Sequence, residues 1–402
     1  MLDPRAVWIT GAGAVTAAGA GIGPLGVALA GGGSDRSHEQ PDGERWLCRA
    51  PDPQVGRAGR RLSRSARLLL AAAREAWADA GLARAEPAPA RVAVIEGTSL
   101  GPLADVLMAE RQRLAESSRG TAHAAYLVRM MFDAGSATFA QEIRAAGAVH
   151  AVSAGSVSGA LAIAEGFWKV GFGLADVAVA GGAECPLDPG IIDVFAAAGL
   201  LAAPCGAGIP CRPFDVDRCG TVLGEGAGVL VLEAAEHAAR RGARARAVLA
   251  GAGLSCESCS IVAPDPSGRG LVAAARQALA DTPLDDVGWI KTHGTGTRSN
   301  DLAECRGLAT LFDGRLPRVP LTSLKPLLGH CLGASGSVEA VAALLSLERE
   351  LVPPTLGTAR VDPTLPPCMV ALRPLASTGP SVLLLSESFG GRCGALLMRR
   401  AP

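Results

Sequence analysis

Aromatic side chains are nearly missing from this chain: one tyrosine, five tryptophans and eight phenylalanines among 402 residues. A core built on large ring clusters is thereby excluded, and close packing of small residues must take its place. The 51 glycines and abundant alanines supply that packing, together with loops in which the backbone approaches itself or a ligand. A surplus of either charge is also lacking. Lys plus Arg equals Asp plus Glu at 38 each, so no global field draws the chain to nucleic acid or to a membrane surface. Long hydrophobic runs are absent too. Apolar residues fall in strand-sized pieces such as Ala175 to Ala180, well short of the roughly 20 residues of a membrane span. The first residues lack a basic region followed by a secretory apolar core. Eleven irregularly spaced cysteines read as free thiols of a reducing cytosol, so the expected location is cytoplasmic. Cys256 with Cys259, and Cys205 with Cys211, lack the second pair or nearby histidine of a zinc set, and no metal is expected.

What is present is alternation. Short β-rich runs exchange with amphipathic helical stretches, the pattern of an α/β fold. Val7 to Thr10 predicts a strand ending in a glycine-rich turn at Gly11-Ala-Gly13. Arg67 to Ala80 predicts a helix with Leu68, Leu69, Ala72 and Ala76 on one broad face. Further strands are expected over Arg91 to Ile95, Ala148 to Val152, and Ala175 to Ala180, the last broken at Gly181-Gly182. A boundary near Arg240 to Ala250 divides the chain into halves, 1–245 and 246–402, packed together without a polar linker. Arg57, Arg60, Arg61, Arg64 and Arg67 form a solvated basic segment entering a helix; a docking patch for an acidic partner is the functional reading.

The first glycine segment places its third glycine wrongly for G-x-G-x-x-G, and no ribose-binding acid follows, so nicotinamide chemistry is not indicated. A better constellation gathers at strand ends. Ser156, His293, Lys325 and His330 each follow a strand candidate among small residues, and strand ends of an α/β core converge on a crevice. The strand–turn–helix around Ser156 sets that residue at a helix N-terminus, where free backbone amides stabilise negative charge.

At these residues the chain resembles the β-ketoacyl-acyl carrier protein synthases of the thiolase-like superfamily. The resemblance runs through Trp8-Ile-Thr-Gly-Ala-Gly13, Val152-Ser-Ala-Gly-Ser-Val-Ser-Gly159 and Ala180-Gly-Gly-Ala-Glu184. It continues through Pro213-Phe-Asp-Val-Asp-Arg218, Leu223-Gly-Glu-Gly-Ala-Gly228, His293-Gly-Thr-Gly-Thr297 with Asn300-Asp301, and Thr322-Ser-Leu-Lys325 with Gly329-His330. It implies a duplicated α-β-α-β-α sandwich in a homodimer, or in a heterodimer with a ketosynthase homologue. It also implies a protein of fatty-acid or polyketide biosynthesis acting on acyl and malonyl carrier-protein thioesters, by acyl transfer, decarboxylative condensation or both. The phosphopantetheine of an acyl carrier protein would enter as a substrate arm, with no permanently bound cofactor. The resemblance assigns His293 and His330 to the thioester oxygen, Lys325 to the second motif and Glu339 to its charged network. Thr295, Thr297, Phe389, Gly390 and Gly391 are then expected on the substrate path. Met130, Met131 and Phe132 have two readings, helical core packing or a dimer interface that limits acyl depth. Tyr126 and His123 are read as interface residues, and His150 as a packing or hydrogen-bonding residue.

Two departures stand out. Ser156 occupies the position of the family's nucleophilic cysteine, and a hydroxyl forms far less alkoxide than a thiol forms thiolate. Four readings stay open: acyl transfer through serine, decarboxylation without an acyl intermediate, a chain-length-factor-like subunit paired with an active ketosynthase, or a serine introduced to trap a cysteine enzyme. Near the C-terminus, Glu387-Ser-Phe-Gly-Gly-Arg-Cys393 lacks one Phe-Gly unit of the family loop, which predicts an altered acyl entrance. Arg392 is read either as a phosphopantetheine or subunit contact or as a solvated surface residue. Cys331, directly after His330, makes a weak substitute nucleophile, because it lacks the helix-terminal setting of Ser156.

Overall fold

Two series of five strands, one in each half of the chain, set the architecture. The computed structural model describes residues 5–32, 45–115, 125–203 and 208–401; His123 and Cys205 lie outside them. The first series is β1 (Val7–Thr16), β2 (Val92–Gly97), β3 (Val149–Val152), β4 (Val177–Glu184) and β5 (Gly226–Ala234). The second is β6 (Ala247–Cys256), β7 (Val287–Lys291), β8 (Pro320–Thr322), β9 (Ser381–Ser388) and β10 (Arg392–Arg400). Each series lies side by side in the order first, fifth, fourth, second, third. In both, the first two pairings are antiparallel and the last two parallel. Three residues of β1 pair with β6 and join the two sheets along one edge.

Five helices complete the layers: α1 (Arg64–Asp79), α2 (Ser158–Gly171), α3 (Arg269–Leu279), α4 (Arg298–Phe312) and α5 (Ser335–Glu348). α1 covers the outer face of the first sheet, and α3, backed by α4, that of the second. α2 and α5 lie between the sheets and touch strands of both. The result is the five-layered, duplicated sandwich that the resemblance implies. Its central layer explains the composition. A helix enclosed on every side must be apolar all round, and α5 is buried from Ser335 to Leu347. Small residues let α2 and α5 cross closely: a Cβ at Gly159 would stand 2.8 Å from the Ser337 nitrogen, and one at Gly336 2.7 Å from the Ala160 nitrogen.

The same economy corrects two expectations. Gly11-Ala-Gly13 is no turn, because β1 continues through it after a shift of register between Ile9 and Gly11. A Cβ at Gly13 would lie 2.0 Å from the Ala72 oxygen, so the glycines serve the approach of α1 to the strand. Gly181-Gly182 likewise does not break β4; a Cβ at Gly181 would lie 2.0 Å from the Gly228 oxygen of β5. A third correction concerns Met130, Met131 and Phe132, which are exposed on the single chain, not packed in its core. Of the basic segment, Arg57, Arg60 and Arg61 are exposed, whereas Arg64 turns inward and pairs with buried Glu225 at 2.6 Å.

Gly13→Ala is expected to destabilise the fold by about 1–3 kcal/mol, since α1 must move to admit the methyl group. Urea unfolding of the variant against the parent chain measures it.

Candidate active site

The turn between β3 and α2 is built so that Ser156 faces the interior of a crevice. Gly155 adopts φ +59°, and a Cβ there would sit 2.0 Å from the Ser388 hydroxyl oxygen, so only glycine fits. Ser158 ties the turn down: its Oγ accepts the Ala154 N–H at 2.8 Å and donates to the Gly155 carbonyl at 2.6 Å. Ser156 thereby precedes the first residue of α2 by two positions, with its Oγ 3.3 Å from His330 Nε2. Its own N–H donates to Ser388 Oγ at 2.9 Å, from the end of β9.

Both histidines are held by the backbone. The Glu304 carboxylate on α4 accepts the N–H groups of His293 and Gly294 at 2.6 and 2.8 Å. His330 donates its backbone N–H to the Val222 carbonyl at 2.6 Å and accepts from the Gly224 N–H at 3.1 Å. The rings meet edge to face, 5.4 Å between centroids and 82° between planes. Burial and the Lys325 ammonium hold both imidazoles well below their ordinary pKa, and Lys291 adds to this at each ring. They are neutral at neutral pH, each with one N–H to give.

Lys325 determines which nitrogen of His293 carries that proton. Its ammonium has three donors and meets three acceptors: the His293 carbonyl at 2.5 Å, Glu339 Oε1 at 2.9 Å and His293 Nδ1 at 3.4 Å. An ammonium only donates, so Nδ1 accepts and Nε2 bears the hydrogen. His330 differs, because its Nδ1 faces the Ser335 hydroxyl at 2.9 Å, which serves either tautomer. Behind the histidines Lys291 bonds the other oxygen of Glu339 and, at 2.5 Å, the Leu385 carbonyl. Burial pushes the Glu339 carboxyl up, but the two ammonium groups outweigh it and hold the pKa below its usual value.

A cavity of about 320 Å³ opens on this arrangement, lined by Ser156, His293, His330, Thr295, Thr297 and Phe389 among others. Gly391 lines it as well, whereas Gly390 turns away and donates its N–H to the Ile261 carbonyl at 2.6 Å. Lys325 and Glu339 do not reach the cavity; both are buried behind His293. β9 and β10 are joined by only Phe389-Gly390-Gly391, both glycines at positive φ, and Phe389 stands half-exposed at the mouth. Arg392 also reaches the mouth, where it donates to the Phe389 carbonyl at 3.2 Å. Cys331 is buried, and burial pushes its thiol well up, which makes it a poor nucleophile. His150 bonds Glu165 at 2.8 Å on the half-buried strand β3.

Sequence reasoning missed Lys291, Glu304, Ser335 and Ser388. For Lys291 a signal existed, a lysine ending an otherwise apolar strand. Glu304 lies one helical turn beyond Asp301 with nothing local to single it out. Glu339→Ala would leave two buried ammonium groups unpaired, with an expected loss of about 3–5 kcal/mol of stability, measured by denaturant unfolding.

Known proteins carry the same arrangement of chain. The beta-ketoacyl synthase N-terminal domain matches residues 49–238, and the beta-ketoacyl synthase C-terminal domain residues 246–359. A 3-oxoacyl-[acyl-carrier-protein] synthase 2 of Mycobacterium tuberculosis is 32% identical over 85% of this chain and 82% of its own length. Among solved structures, a type II polyketide ketosynthase in complex with its acyl-carrier protein superposes with a TM-score of 0.91 at 26% identity, covering 99% of this chain and 100% of that one. The ishigamide ketosynthase/chain length factor follows at 0.89 and 28%, with the same coverage. Domain matches over most of the chain, and a relative aligned over 82% of its own length, agree with the crevice and the five layers: this protein belongs to the beta-ketoacyl synthase family.

Proposed function

We propose that this chain acts on carrier-bound malonyl thioesters in polyketide or fatty-acid biosynthesis, chiefly by decarboxylation at the histidine pair. The observation that carries the reading is the state of that pair: two neutral, buried imidazoles side by side on one cavity, His293 with its hydrogen on Nε2. Breaking the bond between the malonyl α-carbon and its carboxylate releases carbon dioxide and leaves the electron pair as an enolate. Its negative charge develops on the thioester oxygen. Nε2–H of His293 and Nε2–H of His330 donate to that oxygen, with Ser335 then giving its hydroxyl hydrogen to His330 Nδ1. Water protonates the carbon and yields the acyl thioester, unless an acyl acceptor stands nearby. Lys325 acts through His293 as a positioning residue, and Thr295 and Thr297 line the path of the phosphopantetheine arm.

Ser156 is less well equipped. Its hydroxyl is 3.3 Å from His330 Nε2, but its amide N–H, which would stabilise the tetrahedral intermediate of acyl transfer, is engaged by Ser388. The shortened hairpin supports the same view. We therefore read acyl transfer through Ser156 as subordinate to decarboxylation. A second reading, a chain-length-factor-like partner of an active ketosynthase, is favoured by the exposed Met130, Met131 and Phe132 and by the half-buried strand β3 at the end of its sheet.

The test is carbon dioxide release from malonyl-acyl carrier protein. His293→Ala and His330→Ala are each expected to slow it by roughly 10²–10³-fold, and Ser156→Ala to leave it nearly unchanged. A large loss with Ser156→Ala would overturn the decarboxylase reading in favour of an acyl-serine. No release by the chain alone, together with a stable complex with a ketosynthase, would favour the partner role. Because both imidazole pKa values lie below 6.5, the rate should hold level as pH falls through 6.5. Lys325→Met removes a cation that depresses both rings, so the acid limb should move upward toward 6.5.

A further inference from the structure

The cavity wall beneath the Phe389–Gly391 hairpin carries two carboxyl groups that form no ion pair among the described residues. Glu387, near the end of β9, pairs across the ladder with Cys393 of β10. It is 6% exposed, and neither carboxyl oxygen has a hydrogen-bond partner among the described residues. Glu257, just beyond β6 and 5% exposed, accepts the Asp265 N–H at 2.7 Å through Oε2 while its Oε1 has no partner. Both side chains line the same cavity as Ser156, His293 and His330.

The charged groups around Glu387 are committed elsewhere. Glu304 holds the His293 and Gly294 amides, and Asp301 accepts the Phe214 N–H with Arg218 beside it at 3.6 Å. Lys325 is taken up by His293 and Glu339, Arg269 bonds Asp265 and the Glu257 carbonyl, and Arg392 bonds the Phe389 carbonyl. Burial, with Glu304, Glu257 and Asp301 nearby, pushes the Glu387 carboxyl well above the ordinary range; burial raises Glu257 too. Three buried acceptor oxygens without donors among the described residues, on the acidic wall of the cavity, match a group with several N–H donors and one positive charge. Family resemblance does not supply this feature, since the corresponding loop begins with asparagine where this chain has Glu387.

We propose that Glu387 and Glu257 form a subsite for an ammonium group carried on the acyl portion of the thioester, so that the substrate class is amine-bearing acyl chains. The inference rests on the thioester reading given above. As the ammonium enters, Glu387 ionises and gives up its proton to solvent, while the ligand keeps its charge.

Unreactive thioethers test it: S-aminoalkyl and S-alkyl pantetheines of butyl, hexyl and octyl length, titrated calorimetrically into the full chain in buffers of different ionisation enthalpy. The amine of the fitting length should bind about tenfold or more tightly than its alkyl counterpart, with net proton release that the alkyl ligand does not produce. Glu387→Gln should abolish both the preference and the release. Equal affinity within every pair overturns the ammonium subsite and leaves the thioester reading intact. Failure of every ligand to bind overturns both. A preference that survives Glu387→Gln overturns the assignment to Glu387, and should that variant fail to fold, proton release by the parent chain decides.

Discussion

The buried arrangement of Lys291, Glu339 and Lys325 is the constraint on which the rest of the site depends. It ties three distant pieces of chain together: the end of β7, the central helix α5 and the turn after β8. Two ammonium groups on one carboxylate leave a net positive charge between the sheets, which is costly to bury and tolerable only because backbone carbonyls take the remaining donors. That charge has chemical consequences. Burial and that charge together keep both imidazoles neutral, and through the Nδ1 contact Lys325 sets the hydrogen of His293 on Nε2. The lysines never touch the cavity, yet they decide what its histidines can do.

Small residues perform the complementary task of letting these pieces come close enough. α2 and α5 cross at glycines, β1 admits α1 at glycines, and Gly155 makes room for Ser388. Ser388 links Ser156 to the hairpin after β9. It occupies the Ser156 amide while the hairpin beyond it is reduced to three residues. Ser156, its occupied amide and the three-residue loop lie together on one side of the crevice. On the histidine side Glu304, Lys325 and Ser335 are all hydrogen-bonded. Where the loop begins, the acidic side chain of Glu387 stands on the cavity wall, so one segment supplies both the acceptor of the Ser156 amide and an acidic group beside the cavity.

Much of this was legible in the residues. Strand and helix periods located the main elements within a few positions, because amphipathic faces are local properties of the chain. Ser156, His293 and His330 could be grouped because each follows a strand, and parallel strands deliver their ends to one side. Glycines misled where they lay inside strands. Gly11, Gly13 and Gly181 look like turn residues locally, while their use is the close approach of backbone far away in sequence. Met130 and Met131 misled in the opposite direction, since apolar character does not by itself say whether a residue packs within its own chain or is left for another surface.

The sequence by itself carried the family motifs, the alternation of strands and helices, a serine at position 156 and the short Phe389-Gly390-Gly391 loop, because each of these is written in the order of residues. Tertiary structure alone decided that Lys291 shares Glu339 with Lys325, that Ser388 takes the Ser156 amide, and that Glu387 lines the cavity without a hydrogen-bond partner among the described residues. The physical reason is common to all three. Hydrogen bonds and buried charge act over a few ångströms between residues far apart in the chain, and no local pattern records which of them folding will bring together.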